Sequence, residues 1–317
     1  MKHAEKHTRL ELLSLLSIQD VLQQSGINAG DKDLGLIYTT TKGNIDLLEG
    51  DHPGIDPNRV YLPVFANYLK QQLGLVNIPL VVSNACISGL LGIIMAQRFI
   101  EQKRCRHVIV CGGDILSEFT LSGFKSFNAL SPEPCKPFDA NRTGINLGEA
   151  VSSILITADE TLAGHEKTQL VRGASANDAN HISGPSRTGD GLLQAIQQTL
   201  VAGETLPGFI SAHGTATPYN DEMESIAFER AGLTTMPVNS LKGYYGHTLG
   251  AAGVLETVIS LMALHRQTFI KSAGYESKGV SGQIQLIDKT SPGTISSFLK
   301  TASGFGGCNG AALFMKA

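Results

Sequence analysis

Hydrophobic and polar positions along the chain follow two periods that take turns. Residues 8–25 place Leu10, Leu13, Leu16, Ile18, Val21 and Leu22 at helical spacing and stop at Gly26. "LGLIYTT" (34–40) then reads as a strand entering a turn at Gly43, and "DHPGIDPN" (51–58) as punctuation. A helix is expected over "LPVFANYLKQQLG" (62–74) and a short β-branched strand over "IPLVVSN" (78–84). "ISGLLGIIMAQRFIEQK" (87–103) is apolar nearly all round, the pattern of a buried helix, and "RHVIVCGGD" (106–114) is the next strand.

The second half continues the alternation. "SSILITAD" (152–159) and "TQLVRGASAN" (168–177) read as strands, "GLLQAIQQTLVAG" (191–203) as a helix and "GFISAHG" (208–214) as a strand. A helix over "NDEMESIAFERAG" (220–232), the strand "PVNS" (237–240) and the helix "GAAGVLETVISLMALH" (250–265) follow. "GTISSFLKTASG" and "GAALFMKA" close the chain as strands. Strands alternating with helices predict an α/β architecture with largely parallel sheets. No short-period repeat and no Ser-, Pro- or charge-rich linker interrupts it.

A chain of 317 residues, 42% hydrophobic and 17% charged, is globular rather than disordered. Its net charge of -3 offers no basic field to nucleic acid or an anionic membrane. The N-terminus lacks the apolar core of a secretory signal, and no apolar run is long enough to span a membrane. Five cysteines, none in a C-x-x-C pair, argue against a disulfide framework or a structural zinc site. A reducing cytoplasm is the expected location.

That leaves thiols free for chemistry. Cys86 stands in "VVSNACISGLLG" (81–92), where a strand gives way to a helix. Free N–H groups at a helix N-terminus favour a thiolate by up to roughly 1 kcal/mol. The turn resembles a nucleophile elbow, against the ordinary alternative of a structural buried cysteine. His213 follows an apolar strand in "SAHGTATPYNDEMES" (211–225), with Thr215, Thr217, Asn220, Asp221 and Glu224 crowded behind it. Lys242 and His247 flank a glycine-bearing loop in "NSLKGYYGHTLGAAG" (239–253), where "GAAG" also suits tight helix packing. "SGFGGCNGAALF" (303–314) fits a dinucleotide fingerprint poorly, since Asn309 holds the last glycine position and a strand follows.

One cysteine, two histidines, a lysine and a glycine loop, each at a strand end, resemble the β-ketoacyl synthases of the thiolase superfamily, in their elongating, carrier-protein-dependent branch. The segments "KPFDANRTGINLGEA" (136–150), "NDANHISGPSRTGDGL" (177–192), "AHGTATPYND" (212–221) and "GHTLGAAGVLE" (246–256) carry the resemblance, from about Leu12 to the C-terminus. It implies a thiolase-like layered αβαβα fold of two similar halves. Residues 1–158 would carry the nucleophilic cysteine and 159–317 the His/Lys motifs. It further implies a condensing acyltransferase without metal or bound cofactor, its substrates carried on the phosphopantetheine of an acyl carrier protein.

Roles follow residue by residue from the same resemblance. Cys86 would take the acyl group, and His213 and His247 would bind the malonyl carbonyl as CO2 leaves. Lys242 would match the family lysine, and Asp221 and Glu224 its acidic partners, holding the surroundings of the second histidine. Backbone N–H groups of Cys86 and Phe305 would form an oxyanion hole. Phe305 would also gate the acyl pocket, and Thr215 and Thr217 would contact the pantetheine arm. Ile87, where the family has alanine or threonine, would narrow the space beside the sulfur. The chain opens at the first helix rather than at the family's usual first strand, so one sheet is expected to lack a strand. The short form resembles synthases of polyketide-like pigments such as aryl polyenes. An obligate dimer is expected, with itself or a related synthase-like subunit, through the strand Pro79–Ser83 and a capping loop near residues 61–66. Two other readings are a chain-length-factor-like partner, which typically lacks the cysteine, and a Cys–His hydrolase, which has no use for a second histidine.

Overall fold

Helix α1 (Arg9–Ser25) begins and ends where local chemistry dictates. Thr8 accepts from the Glu11 N–H, the Glu11 carboxylate accepts from the Thr8 N–H, and Gly26 takes the left-handed φ of 70° that stops the helix. The computed structural model describes residues 6–163, 166–181, 184–201 and 206–317. After α1 come β1 (Leu34–Thr39), α2 (Leu62–Leu73), β2 (Leu80–Val82), α3 (Ser88–Glu101), β3 (His107–Asp114), α4 (Glu118–Ser126) and β4 (Ala150–Thr157). They are followed by β5 (Thr168–Asn177), α5 (Asp190–Thr199), β6 (Ile210–Ser211), α6 (Pro218–Arg230), β7 (Pro237–Asn239), the single turn α7 (Lys242–Tyr245) and α8 (Ala252–His265). The short strands β8 (Thr268–Phe269), β9 (Gln285–Leu286) and β10 (Ser291–Pro292) precede β11 (Ser297–Gly304) and β12 (Cys308–Lys316). The helix expected over 191–203 ends at Thr199, and its last two residues lie outside the described ones.

The strands form two main sheets, β2-β1-β3-β4 and β5-β12-β11-β6-β7-β9. Parallel pairing holds within β2-β1-β3 and within β11-β6-β7-β9. The longest pairings, β3 with β4, β12 with β5 and β12 with β11, are antiparallel, which corrects the expectation of largely parallel sheets. Between β11 and β12 the reason is local. Only Phe305, Gly306 and Gly307 connect them, too few for a crossover, and both glycines adopt positive φ. The glycine-rich stretch is therefore a hairpin tip and not a phosphate cradle.

Side-chain alternation sorts these elements into five layers. On β1, Leu34, Leu36 and Tyr38 face one side with Ile109 and Cys111 of β3, and α1 and α2 cover them through Leu10, Ile18, Phe65 and Leu69. Ile37, Val108 and Val110 face the opposite side, against Leu90 and Ile93 of α3 and Val254 of α8. Phe298 and Phe314, on the near face of the second sheet, complete this central core. On that sheet's far face Ile210, Val238 and Leu299 pack under α5 and α6, through Leu192, Ile196 and Phe228. The order is helix, sheet, helix, sheet, helix, with α3 and α8 in the middle, as the αβαβα expectation required.

Close packing of the middle layer needs glycine. A Cβ on Gly89 would stand 2.8 Å from the Val254 nitrogen, and one on Gly253 would strike the backbone of Leu90. The Gly253→Ala variant should therefore lose about 1–3 kcal/mol of stability, the cost of overpacking a filled core. Urea unfolding measures it, and an unchanged midpoint would show that the two helices have room to part.

Candidate active site

The end of β2 and the start of α3 present Cys86 at a strained corner. Ala85 holds a φ of 44°, unusual for a residue with a Cβ. Ser88 pins the turn, accepting from the Asn84 N–H at 2.8 Å and donating to the Ala85 carbonyl at 2.6 Å. Burial pushes the Cys86 thiol up to about 12, with neighbouring Cys308 adding to the rise, while Lys242 and the Phe305 N–H oppose it. The helix N-terminus was expected to favour the thiolate. Desolvation of a buried sulfur outweighs it. Alkylation of Cys86 by iodoacetamide should then accelerate about tenfold per pH unit from neutral to weakly alkaline pH, since only the thiolate reacts. A rate already level at neutral pH would contradict this.

His213 lies on the loop after β6, and the loop is held by carboxylates. Glu224 accepts from the His213 N–H at 2.8 Å and the Gly214 N–H at 2.6 Å, and Asp221 accepts from the Thr215 N–H at 2.9 Å and the Phe138 N–H at 2.6 Å. Burial, with Asp221 beside it, pushes Glu224 up to about 7. His247 sits between α7 and α8, its strand-like backbone clamped by Asn146 and Gly148 of the "KPFDANRTGINLGEA" segment. Its Nδ1 accepts from the Leu249 N–H at 3.3 Å, which places the proton on Nε2. That Nε2 is buried and has no partner among the described residues. At His213 the ammonium of Lys242 stands 3.4 Å from Nδ1, so here too Nε2 carries the proton. Burial holds both imidazoles well below the usual histidine range, with the Lys242 charge adding to the effect, and both are neutral at pH 7.

The sulfur of Cys86 and ring nitrogens of His213 and His247 lie within 4.8 Å of one another, the two rings nearly perpendicular at 5.1 Å. They meet in a cavity of about 550 Å³ whose walls include Thr215, Thr217 and Phe305. Phe305 packs edge-on against Phe127 at 5.2 Å and tilted against Phe124 at 5.6 Å, so α4 and the residue that follows it supply an aromatic wall that the sequence pattern did not reveal. A sulfur and two imidazoles this close could ligate a soft cation. The lysine charges that repel a proton from both rings also disfavour a metal ion there and favour an anion.

Three expectations need correction. Lys242 pairs with Glu256 of α8 at 2.6 Å rather than with Asp221 or Glu224, which brace the first histidine's loop and not the second's surroundings. Sequence reading passed over Glu256 because its importance depends on α8 crossing behind the lysine. Ile87 is buried in the central core with Leu90 and Ile93 and is absent from the cavity wall, since the corner at Ala85 turns it inward. The segment 61–66 is no loop but the start of α2, with Phe65 and Ala66 buried and Tyr61 and Val64 exposed.

Family models match over most of the chain: "Beta-ketoacyl synthase, N-terminal domain" over residues 1–161 and "Beta-ketoacyl synthase, C-terminal domain" over 169–276. A putative mitochondrial 3-oxoacyl-[acyl-carrier-protein] synthase of Schizosaccharomyces pombe is 28% identical over 82% of this chain, which spans 66% of that protein's length. The 3-oxoacyl-[acyl-carrier-protein] synthase 2 of Vibrio harveyi is 28% identical over 93% of this chain and 79% of its own. Among solved structures, a ketosynthase in complex with its chain length factor from Xenorhabdus doucetiae superimposes with a TM-score of 0.86. It is 27% identical, covering 100% of this chain and 82% of that one.

Proposed function

Because this chain belongs to the β-ketoacyl synthase family, we propose that it joins an acyl group to a malonyl thioester by decarboxylative Claisen condensation, both delivered on the phosphopantetheine of an acyl carrier protein. One observation carries the reading: a buried thiol and two neutral imidazoles converge within 4.8 Å, with the His247 Nε2–H unpartnered among the described residues. In the first half-reaction the Cys86 sulfur attacks the acyl thioester, and the pantetheine thiol departs with the cysteine's proton. Backbone N–H groups of Cys86 and Phe305 hold the tetrahedral oxyanion. In the second, the malonyl carbonyl oxygen accepts from the Nε2–H groups of His213 and His247, CO2 leaves, and the enolate attacks the acyl carbon. The Cys86 thiolate is expelled. Neutral donors suit this step, because the developing charge is on oxygen. Thr215 and Thr217 face the cavity where the pantetheine arm would lie, and Phe305 closes the acyl side.

The substrate belongs to fatty-acid or polyketide-like synthesis, aryl polyenes included. The reaction, with its carrier-bound substrates, is placed in the cytoplasm. No helix among the described residues is long and apolar enough to cross a membrane. A chain-length-factor-like partner would dispense with the nucleophile, whereas this chain retains Cys86, His213, Lys242 and His247. Mass spectrometry after mixing with an acyl carrier thioester should show an acyl adduct on Cys86. Added malonyl carrier thioester should then discharge it as a β-ketoacyl product. Free acid in place of product would indicate a hydrolase, and no adduct at all a partner subunit.

The dimer belongs to the same proposal. β2 pairs with β1 on one side only, so its other edge is unpaired among the described residues. Ile78, 85% exposed and two residues before β2, and Tyr61, 63% exposed at the start of α2, supply apolar surface. Such an edge is covered in a stable protein, here by the same strand of a second copy or of a related synthase-like subunit. Light scattering should find the active species dimeric, and an active monomer at micromolar concentration would sink the idea.

A further inference from the structure

Behind the two histidines lies a second fully buried lysine that neither half-reaction has used. The Lys300 ammonium, on β11, pairs with Glu256 at 2.7 Å and donates to the backbone carbonyls of Ser211 at 3.0 Å and Thr301 at 2.7 Å. The other Glu256 oxygen takes Lys242 at 2.6 Å, and Lys242 in turn donates to the His213 carbonyl at 2.7 Å. One carboxylate is thus divided between two ammonium groups, and among the described residues neither has an ion-pair partner of its own. A desolvated lysine is costly, and an apolar side chain of similar length would fill the same space at less cost.

We propose that Lys300 is a positioning residue for the condensation step: by sharing Glu256 with Lys242 it keeps positive charge behind His213 and His247, so that both imidazoles stay neutral and aim Nε2–H at the enolate oxygen. This rests on the condensing reading above. The charged groups around the cluster are Glu256 of α8, Lys242 of α7 and Glu224 of α6, besides the two histidines. Glu224 is engaged with the main chain of His213 and Gly214. In agreement, the Lys300 charge is among the influences that hold both histidines low. It is also placed to strengthen attraction for the enolate through the imidazoles, while acyl transfer to Cys86, which needs only the backbone oxyanion hole, is spared.

The test compares Lys300→Met and Lys300→Arg with the parent in separate assays of Cys86 acylation and condensation. Parental turnover in these assays tests the condensing reading independently. Lys300→Met should acylate within about twofold of the parent and condense about 10–100-fold more slowly, the usual effect of losing a partner behind a functional group. With one repelling charge gone both histidines bind protons more readily, so the acid limb of the condensation profile moves to higher pH. Lys300→Arg should restore the parental acid limb. A Lys300→Met protein with parental condensation and an unmoved acid limb overturns the proposal, as does equal loss of both half-reactions. Lys300→Gln, which keeps a donor for the carbonyls without the charge, serves if Lys300→Met does not fold. Failure of that variant to fold would assign the residue to stability alone and overturn the proposal as well.

Discussion

His247→Ala should accept an acyl group on Cys86 at close to the parental rate and then fail to pass it on. Among the described residues the His247 ring is held by one hydrogen bond, from the Leu249 N–H to Nδ1, and its buried Nε2 has no partner. A buried donor with nothing to bind is costly in a resting protein. The cost is recovered when an oxygen acquires negative charge in front of it, as the malonyl carbonyl does once CO2 departs. Removing one such donor typically slows a reaction roughly 10²–10³-fold. In the proposed mechanism the acylation oxyanion is held elsewhere, by backbone N–H groups, so acylation should keep its rate. Single-turnover acylation followed by mass spectrometry, and condensation followed by product release, separate the two. Acylation lost as completely as in Cys86→Ala would mean that the histidine serves the thiol instead, and the division of labour would be wrong.

Glu256→Gln should cost the fold about 3–5 kcal/mol, the usual penalty for stripping the counter-charge from a buried ion. Here the carboxylate separates two ammonium groups, both fully buried, and its loss leaves Lys242 and Lys300 facing each other. The pH dependence has a definite sign. Burial alone would raise the Glu256 carboxyl, but the two lysine charges outweigh it and hold the group below the ordinary carboxylate value. Its contribution is therefore present above the unfolded-state value and lost as pH falls through the lower folded value. Urea unfolding across the acidic range should show the parent losing stability towards low pH and the variant losing less of it. A penalty below about 1 kcal/mol would mean that water or another anion reaches the lysines.

The elements that the sequence announced best are those whose cause is local. The α1 boundaries follow from Thr8, Glu11 and Gly26, and the unrelieved apolar character of α3 marked it as a helix buried between layers. Strand direction was less legible. Antiparallel β4, with its Val and Ile, and β12, with its small and apolar residues, read as any strand would, and direction is set by which neighbour the chain meets on its return. The helix α4 escaped notice because Phe124, and Phe127 just after it, answer to the cavity and to Phe305 rather than to a core stripe.

At the site, residue identity and motif spacing were enough to nominate Cys86, His213, Lys242 and His247, because each stands beside a turn that its own neighbours build. Their convergence within 4.8 Å was decided by tertiary structure, since the carrying loops leave two different sheets. So was the partner of Lys242. Asp221 and Glu224 sit in the His213 motif, but their oxygens are consumed by nearby N–H groups, and only the crossing of α8 brings Glu256 to the lysines. The protonation of the thiol was also beyond local reading. A helix N-terminus is visible in a sequence, but the desolvation that outweighs it exists only when five layers close over the sulfur. Chemical capability was thus written in the order of residues, and the electrostatics that regulate it in how far folding removes them from water.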